Sequence, residues 1–290
     1  MSSPGINFAL EYGPGLMGLA LGFAVYGAAL GQYAFYLFAF PFDHRALKVL
    51  VLLLFVMDAL HTYGMAGWNW VLLVSCHHVA TQDPVFPWQG TMAGICSFCI
   101  TMLVQSFYAH RLWIISGHNK LVVAVVLATA LAGFVLGLLG ISLIVRAGSP
   151  TAERIILVVI SSACGVSMLC DVIITASIFF YLRPQRSGIK RVGTAVQQLI
   201  DVFIRMGLLT CLVSLSVFVM LWIKDGQYWL LVFPPLVCKS YAHSLLAVLN
   251  ARKSIREGAM KTIQLPTLSV AWPATAEIPS SGSSRGDLDR

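Results

Sequence analysis

Seven ionisable side chains, Asp58, His61, Asp171, Asp201, Arg205, Lys239 and His243, lie inside long apolar runs, with Gln105 as a polar companion. Charge is expensive inside a membrane. Groups of these types therefore face one another there, and they can form a polar core, anchor a ligand or pass protons and ions. The stretch "VFPPLVCKSYAHSLLAVLN", residues 232 to 250, poses the question most directly. It has the length of a membrane-spanning helix, yet Lys239 sits at its middle and His243 one helical turn later.

At about 1.5 Å per residue, Asp58 lies roughly 15 Å in from Lys48, Asp171 roughly 16 Å in from Leu182, and Lys239 roughly 16 Å from either end of its run. These three charges share a depth near the bilayer centre. An unpaired ammonium there would cost several kcal/mol or lose its charge, so Lys239 is expected to be held by Asp58, Asp171 or both, with His61 or His243 sharing the network. Asp201 and Arg205 stand four apart on one helix face nearer the cytosol, the spacing of a local ion pair.

The remaining chemistry-bearing residues make no catalytic pattern. The seven cysteines follow no metal or redox spacing. Inside an apolar run a free thiol packs as a small hydrophobe. Cys76 is the exception, since it could meet Cys96 or Cys99 across an outer loop in an oxidising compartment. His77 and His78 in "CHHVATQD" read as solvated loop residues, and no H-x-x-x-H or H-E-x-x-H spacing supplies a metal site. No Ser-His-Asp elbow or phosphate loop is present, so no enzyme, metal or cofactor is expected.

The elements that position these residues follow from composition. With 58% hydrophobic and 11% charged residues and a mean hydropathy of +0.81, the chain departs strongly from soluble domains. Crossing the hydrocarbon takes roughly 20 apolar residues. Seven such stretches are legible, at about Gly15 to Phe38, Leu47 to Trp68, Thr91 to Ile114, Leu121 to Val145, Ile155 to Leu182, Ala195 to Ile223 and Tyr228 to Asn250. The second could run on to Cys76, with Trp68 and Trp70 as interfacial anchors. Backbone groups in lipid must be satisfied within a segment, so the expected fold is an all-α, seven-transmembrane-helix bundle.

Orientation follows from basic residues in the short connections. Arg45, Lys48, Arg111, Lys120, Arg183, Arg186, Lys190, Arg191, Arg252, Lys253 and Arg256 flank one side, against Arg146, Arg154 and Lys224 on the other. The amino terminus is therefore expected outside and the carboxyl terminus in the cytosol. The formal charge of +7 then belongs to a face that meets anionic lipid, and nucleic acid is not called for.

Four segments result. Residues 1–14 form an extracytoplasmic segment, and 15–250 the seven-helix domain. Residues 251–266 form a basic juxtamembrane segment, with "ARKSIREGAMKTI" as a short interfacial helix. Residues 267–290, rich in Ser, Pro and Gly, form a disordered cytoplasmic tail. The first apolar stretch has full spanning length and no positive residues before it, as in a signal anchor. Pro234 and Pro235 are expected to bend the outer half of the last helix and open space above Lys239.

Several stretches together resemble a known family: "LGFAVYGAALGQYAFYLFAFPFDHRALKVLVLLLFVMDALHT", "VQSFYAHRLWIIS", "DVIITASIFFYL", "GLLTCLVSL" and "CKSYAHSLLAVLNAR". The chain from about residue 15 to 256 is similar to a family of seven-helix integral membrane proteins of mushroom-forming fungi that carry a conserved domain of unknown function. Gln105, Tyr108 and Arg111 fit the family's ending of the third helix. Tyr241, Ser244, Leu245, Leu246, Leu249, Asn250 and Arg252 fit its last helix, with His243 where asparagine is common, and Asp58 and Asp171 match as well. The resemblance implies fold and topology and no particular activity.

Lys239 in the last of seven helices is also similar in place to the Schiff-base lysine of retinal proteins. The third helix, however, lacks the acids that microbial rhodopsins use as counter-ions. The sequence is read as a receptor-like or small-ligand-binding protein, its ligand a small amphipathic or anionic molecule anchored at the midplane by Lys239. The alternative is a transporter or proton and ion carrier using the same charges, and an intramembrane enzyme is a distant third. Membrane lipid is the expected partner; the sequence names neither a cytosolic partner nor the membrane.

Overall fold

The computed structural model describes residues 8–75, 86–146, 150–182, 207–220, 222–223 and 232–264. These residues are helical apart from short connections, with no strand among them. The helices are α1 (Phe8–Ala39), α2 (Arg45–Trp70), α3 (Trp88–Ile115), α4 (Lys120–Arg146), α5 (Pro150–Leu182) and α7 (Phe233–Gln264), with α6 over Gly207–Met220. Five of them, in α1 to α5, are long and apolar enough to cross a membrane. The outward faces stay apolar, as Leu52, Val56, Leu131, Val135 and Phe180 illustrate. With lipid outside, polar groups gain nothing from facing outward and collect in the interior.

α3 is the hub of the bundle, touching α2, α4, α5 and α7, while α4 packs on α5 and α1 on α7. Small residues bring these backbones together, as is usual where lipid supplies no hydrophobic drive between helices. A Cβ added at Gly137 would overlap the Phe98 ring, and one at Gly140 would overlap Ile160. α1 and α7 run in the same direction. Gly22 faces Pro235 at one end, and at the other Asn250 donates to the Gln32 carbonyl at 3.1 Å.

The connection from α3 to α4 is tight because Gly117 and His118 both take left-handed backbone angles, φ 65° and 69°. The side chain of Asn119 then accepts from Leu121 N at 3.1 Å, so α4 starts at once.

Element ends depart from the sequence expectation in three places. α1 begins at Phe8, so helix reaches into the segment expected to precede it, with Pro14 inside. α2 keeps to the longer of its two expected ends, continuing through Trp70 into a π-helical turn, Val71–Ser75. "ARKSIREGAMKTI" is no separate helix but the continuation of α7 as far as Gln264. Pro234 and Pro235 fall in the first turn of α7 and do not bend its interior. A proline there removes an N–H that has no intrahelical partner anyway. The expected tail, 267–290, lies outside the described residues.

Candidate functional site

Two buried polar sets cross the bundle. In the first, Asp58 and Thr62 stand one turn apart on α2 and face Lys239 of α7. The Lys239 ammonium pairs with Asp58 Oδ1, donates to Thr62 Oγ1 at 2.5 Å and reaches the Asp58 carbonyl at 3.2 Å. Its three protons thus meet three acceptors. The Tyr26 ring of α1 adds a cation–π contact at 4.4 Å. Both charged side chains are sealed, at 1% and 0% exposure. Asp58 Oδ2 has no hydrogen-bond partner among the described residues.

The second set joins α3, α5 and α7. Gln105 Nε2 donates to Asp171 Oδ1 at 3.0 Å and to the Ser167 carbonyl at 3.2 Å. The Tyr241 hydroxyl donates to Asp171 Oδ2 at 2.5 Å. A void of about 20 Å³ adjoins Asp171, Thr210 and Ser244, room for about one water by the usual minimum.

Equal depth therefore did not make one network. Of the two acids only Asp58 holds Lys239, and Asp171 binds Tyr241 and Gln105. The reason is azimuth: a helix turns about 100° per residue, so Lys239 and Tyr241, two apart, leave α7 on nearly opposite sides. His243 joins neither set, because its Nε2 meets the Val25 carbonyl of α1 at 2.9 Å. Asp201 and Arg205 lie outside the described residues, as does Cys76; Cys96 and Cys99 carry free thiols.

Between α2, α3, α4, α5, α6 and α7 lies a cavity of about 240 Å³. It occupies the half of the bundle where α2 ends and α3 begins. Met65, Trp68, Phe86, Phe98, Ile141, Ile144, Ile160, Val217 and Val237 supply apolar walls, and His61, Ser97, Thr101, Ser167, Ser214 and Tyr241 add polar groups. None of the described lining residues is Asp, Glu, Lys or Arg. Of the buried ionisable side chains singled out from sequence, and Gln105, only His61 is among the described lining residues. His61 is 2% exposed, and its Nδ1 has no hydrogen-bond partner among the described residues. Lys239, the expected anchor, is not part of the lining.

Apart from Trp68 and Tyr241, which were read in other roles, sequence reasoning missed the rest of the lining. The signal lay in α3, where Gly90, Ala93, Gly94, Ser97 and Thr101 recur at helical spacing on one face. Such a stripe normally marks close helix contact. Here it does both: a Cβ on Gly94 would come within 2.7 Å of Ile141, and the same face leaves the cavity open beside it. Trp68, expected as an interfacial anchor, instead packs on Phe86 with centroids 5.4 Å apart. Trp70 is the exposed one, at 65%.

At the opposite end a second missed pair closes the bundle. Arg252 of α7 grips Asp43 with two hydrogen bonds, 3.3 and 2.7 Å, and lies over the Phe40 ring at 4.5 Å. Tyr36 donates to the same carboxylate at 2.9 Å. The Arg252 hydrogen bonds hold the Asp43 carboxyl below the usual carboxylate range. The 209-residue separation hides this contact from any local reading.

The model of a family of unknown function (DUF6534) matches residues 167–254. The match spans the second half of α5 through the buried part of α7, and so contains Asp171, Lys239 and Tyr241. Of the five stretches that carry the resemblance over about residues 15 to 256, "DVIITASIFFYL", "GLLTCLVSL" and "CKSYAHSLLAVLNAR" fall within this domain of unknown function, and the two from the first three helices lie outside it. No curated protein and no solved structure matches the chain.

Proposed function

We propose that this multi-pass membrane protein is a seven-span, receptor-like protein that binds a small molecule within the bundle, its amino terminus outside and its carboxyl terminus cytosolic. The observation that carries this reading is the apolar cavity whose lining includes the buried side chain of His61, with Nδ1 unpartnered among the described residues. A void of this size lined by side chains of six helices forfeits packing contacts that a bound molecule would restore. The parallel course of α1 and α7 supports an odd number of crossings. The basic bias supports the orientation, which puts the cavity in the outer half.

The carrier reading draws less support. A relay needs exchangeable charges in sequence, whereas Asp58 and Asp171 belong to sets that share no hydrogen-bond partner among the described residues. Native mass spectrometry of the purified protein, beside a Ser97→Phe variant that fills the cavity, tests the proposal. A small molecule retained by the wild type and lost from the variant is expected. Proton flux in proteoliposomes that vanishes in Lys239→Met would transfer the case to a carrier.

A further inference from the structure

The cavity's lining says what class of molecule it takes. No described lining residue is Asp, Glu, Lys or Arg, and Lys239, the anchor expected from sequence, has its three protons committed to Asp58 and Thr62. An anion or a cation placed in the cavity would be buried without a counter-charge, which is prohibitive at this depth. The walls suit an apolar body. Ser97, Thr101 and Ser214 are hydroxyl neighbours, but the Thr101 hydroxyl already donates to the Ser97 carbonyl at 3.0 Å.

Ser214 Oγ and His61 Nδ1 both lack a hydrogen-bond partner among the described residues, but a serine hydroxyl can turn onto a carbonyl of its own helix, whereas Nδ1 of the His61 imidazole, a strong hydrogen-bonding atom of a side chain 98% removed from solvent, has no such recourse. Leaving such an atom unpaired is costly. A hydroxyl satisfies it in either imidazole tautomer, donating to a bare nitrogen or accepting from an N–H. Size follows from volume: a cavity of about 150 Å³ holds benzene, so about 240 Å³ holds roughly ten non-hydrogen atoms.

Resting on the reading of this cavity as a ligand site, we infer that it takes a neutral, largely apolar alcohol or phenol of roughly ten non-hydrogen atoms, whose hydroxyl group pairs with His61. The anionic ligand anchored by Lys239 is thereby replaced by a neutral one anchored from α2.

Three probes of one shape decide it: 1-naphthol, naphthalene and 1-naphthoate, each titrated against the detergent-purified chain at neutral pH and followed by thermal shift. Naphthol is expected to bind at least about tenfold more tightly than naphthalene, the scale of one buried hydrogen bond, and naphthoate not at all. In His61→Leu the naphthol preference should collapse while naphthalene binding stays. Where that variant does not fold, ¹⁵N-histidine spectra of the wild type serve: naphthol should move an imidazole resonance that naphthalene leaves in place. Tighter binding of naphthoate, or a preference that survives in His61→Leu, overturns the inference. Equal binding of naphthol and naphthalene removes the inference and leaves the ligand site standing, whereas binding of none of the three removes both.

Discussion

Lys239 and Tyr241, two residues apart on α7, divide between them the two carboxylates buried among the described residues. Lys239 takes Asp58 of α2 and Tyr241 takes Asp171 of α5. α7 is therefore fixed from both sides at one level, and its most deeply buried stretch is the one that carries the polar atoms. In water such groups would weigh against burial. Within lipid they have no better place, and each satisfied bond instead sets the rotation of α7 against its neighbours.

The ion pair should show the asymmetry of buried charges. Lys239→Met leaves Asp58 unpaired and is expected to cost about 3–5 kcal/mol, whereas Lys239→Met combined with Asp58→Leu should recover part of that loss. Thermal unfolding in detergent gives the ranking. A neutral Lys239→Met would mean that the ammonium is not held as described.

Separate sets should behave separately. Asp171→Asn and Tyr241→Phe remove the two ends of one hydrogen bond, so their effects are expected to depart from additivity by more than about 0.5 kcal/mol. Asp58→Asn and Asp171→Asn should add within about that margin. Strong coupling in the second pair would point to a shared network, which is what a proton relay across the two acids requires.

Much of this was legible in the sequence, and the part that was not has a physical pattern. Run length and composition mark α1 to α5, because the hydrocarbon imposes a minimum span and an apolar exterior. The same constraint singles out Asp58, Gln105, Asp171 and Lys239 as inward-facing. Depth along a helix is additive in residue number, so their common level could be read; azimuth between helices depends on packing, so their partners could not. Asp43 and Arg252 were invisible for a related reason, since one lies in the connection between α1 and α2 and the other in the polar half of α7, and only the closed bundle brings them together. The cavity was hidden because it is made by what α3 lacks, side-chain volume at Gly90, Ala93 and Gly94, and by walls contributed from five other helices.

The Asp43–Arg252 clasp carries a pH signature. Asp43 has its carboxyl held below its ordinary value by Arg252, so folding favours the charged form. The stabilisation is complete above the ordinary carboxylate value of about 3.9 and fades as pH falls through the lower folded value. The stability difference between wild type and Arg252→Gln should be at most about 1 kcal/mol near neutrality, as suits a partly exposed pair. It should shrink below about pH 4. Denaturant unfolding at pH 7, 5 and 3.5 follows it, and a gap that widens on acidification would contradict the pairing.

Orientation is checked in intact cells. Basic residues concentrate in the connections on the Asp43 and Arg252 side, and that side is expected to face the cytosol. A tag before Met1 should be open to external protease and one after Arg290 protected. The reverse pattern would invert the bundle and place the cavity in its inner half.

The close contacts of α4 make the last prediction. A Cβ at Gly137 would enter the Phe98 ring, whose movement would press on the cavity that Phe98 also lines. Gly137→Ala is therefore expected to cost about 1–3 kcal/mol as an overpacked contact, despite alanine's better helix propensity. Gly31 of α1 has nothing within 4 Å of an added Cβ, so Gly31→Ala should be neutral or gain up to about 1 kcal/mol. The pair separates packing from propensity, because both changes add the same methyl group to a helix interior and differ only in what it meets. Equal thermal shifts for the two variants would show that α4 does not approach α3 as closely as the Phe98 contact requires.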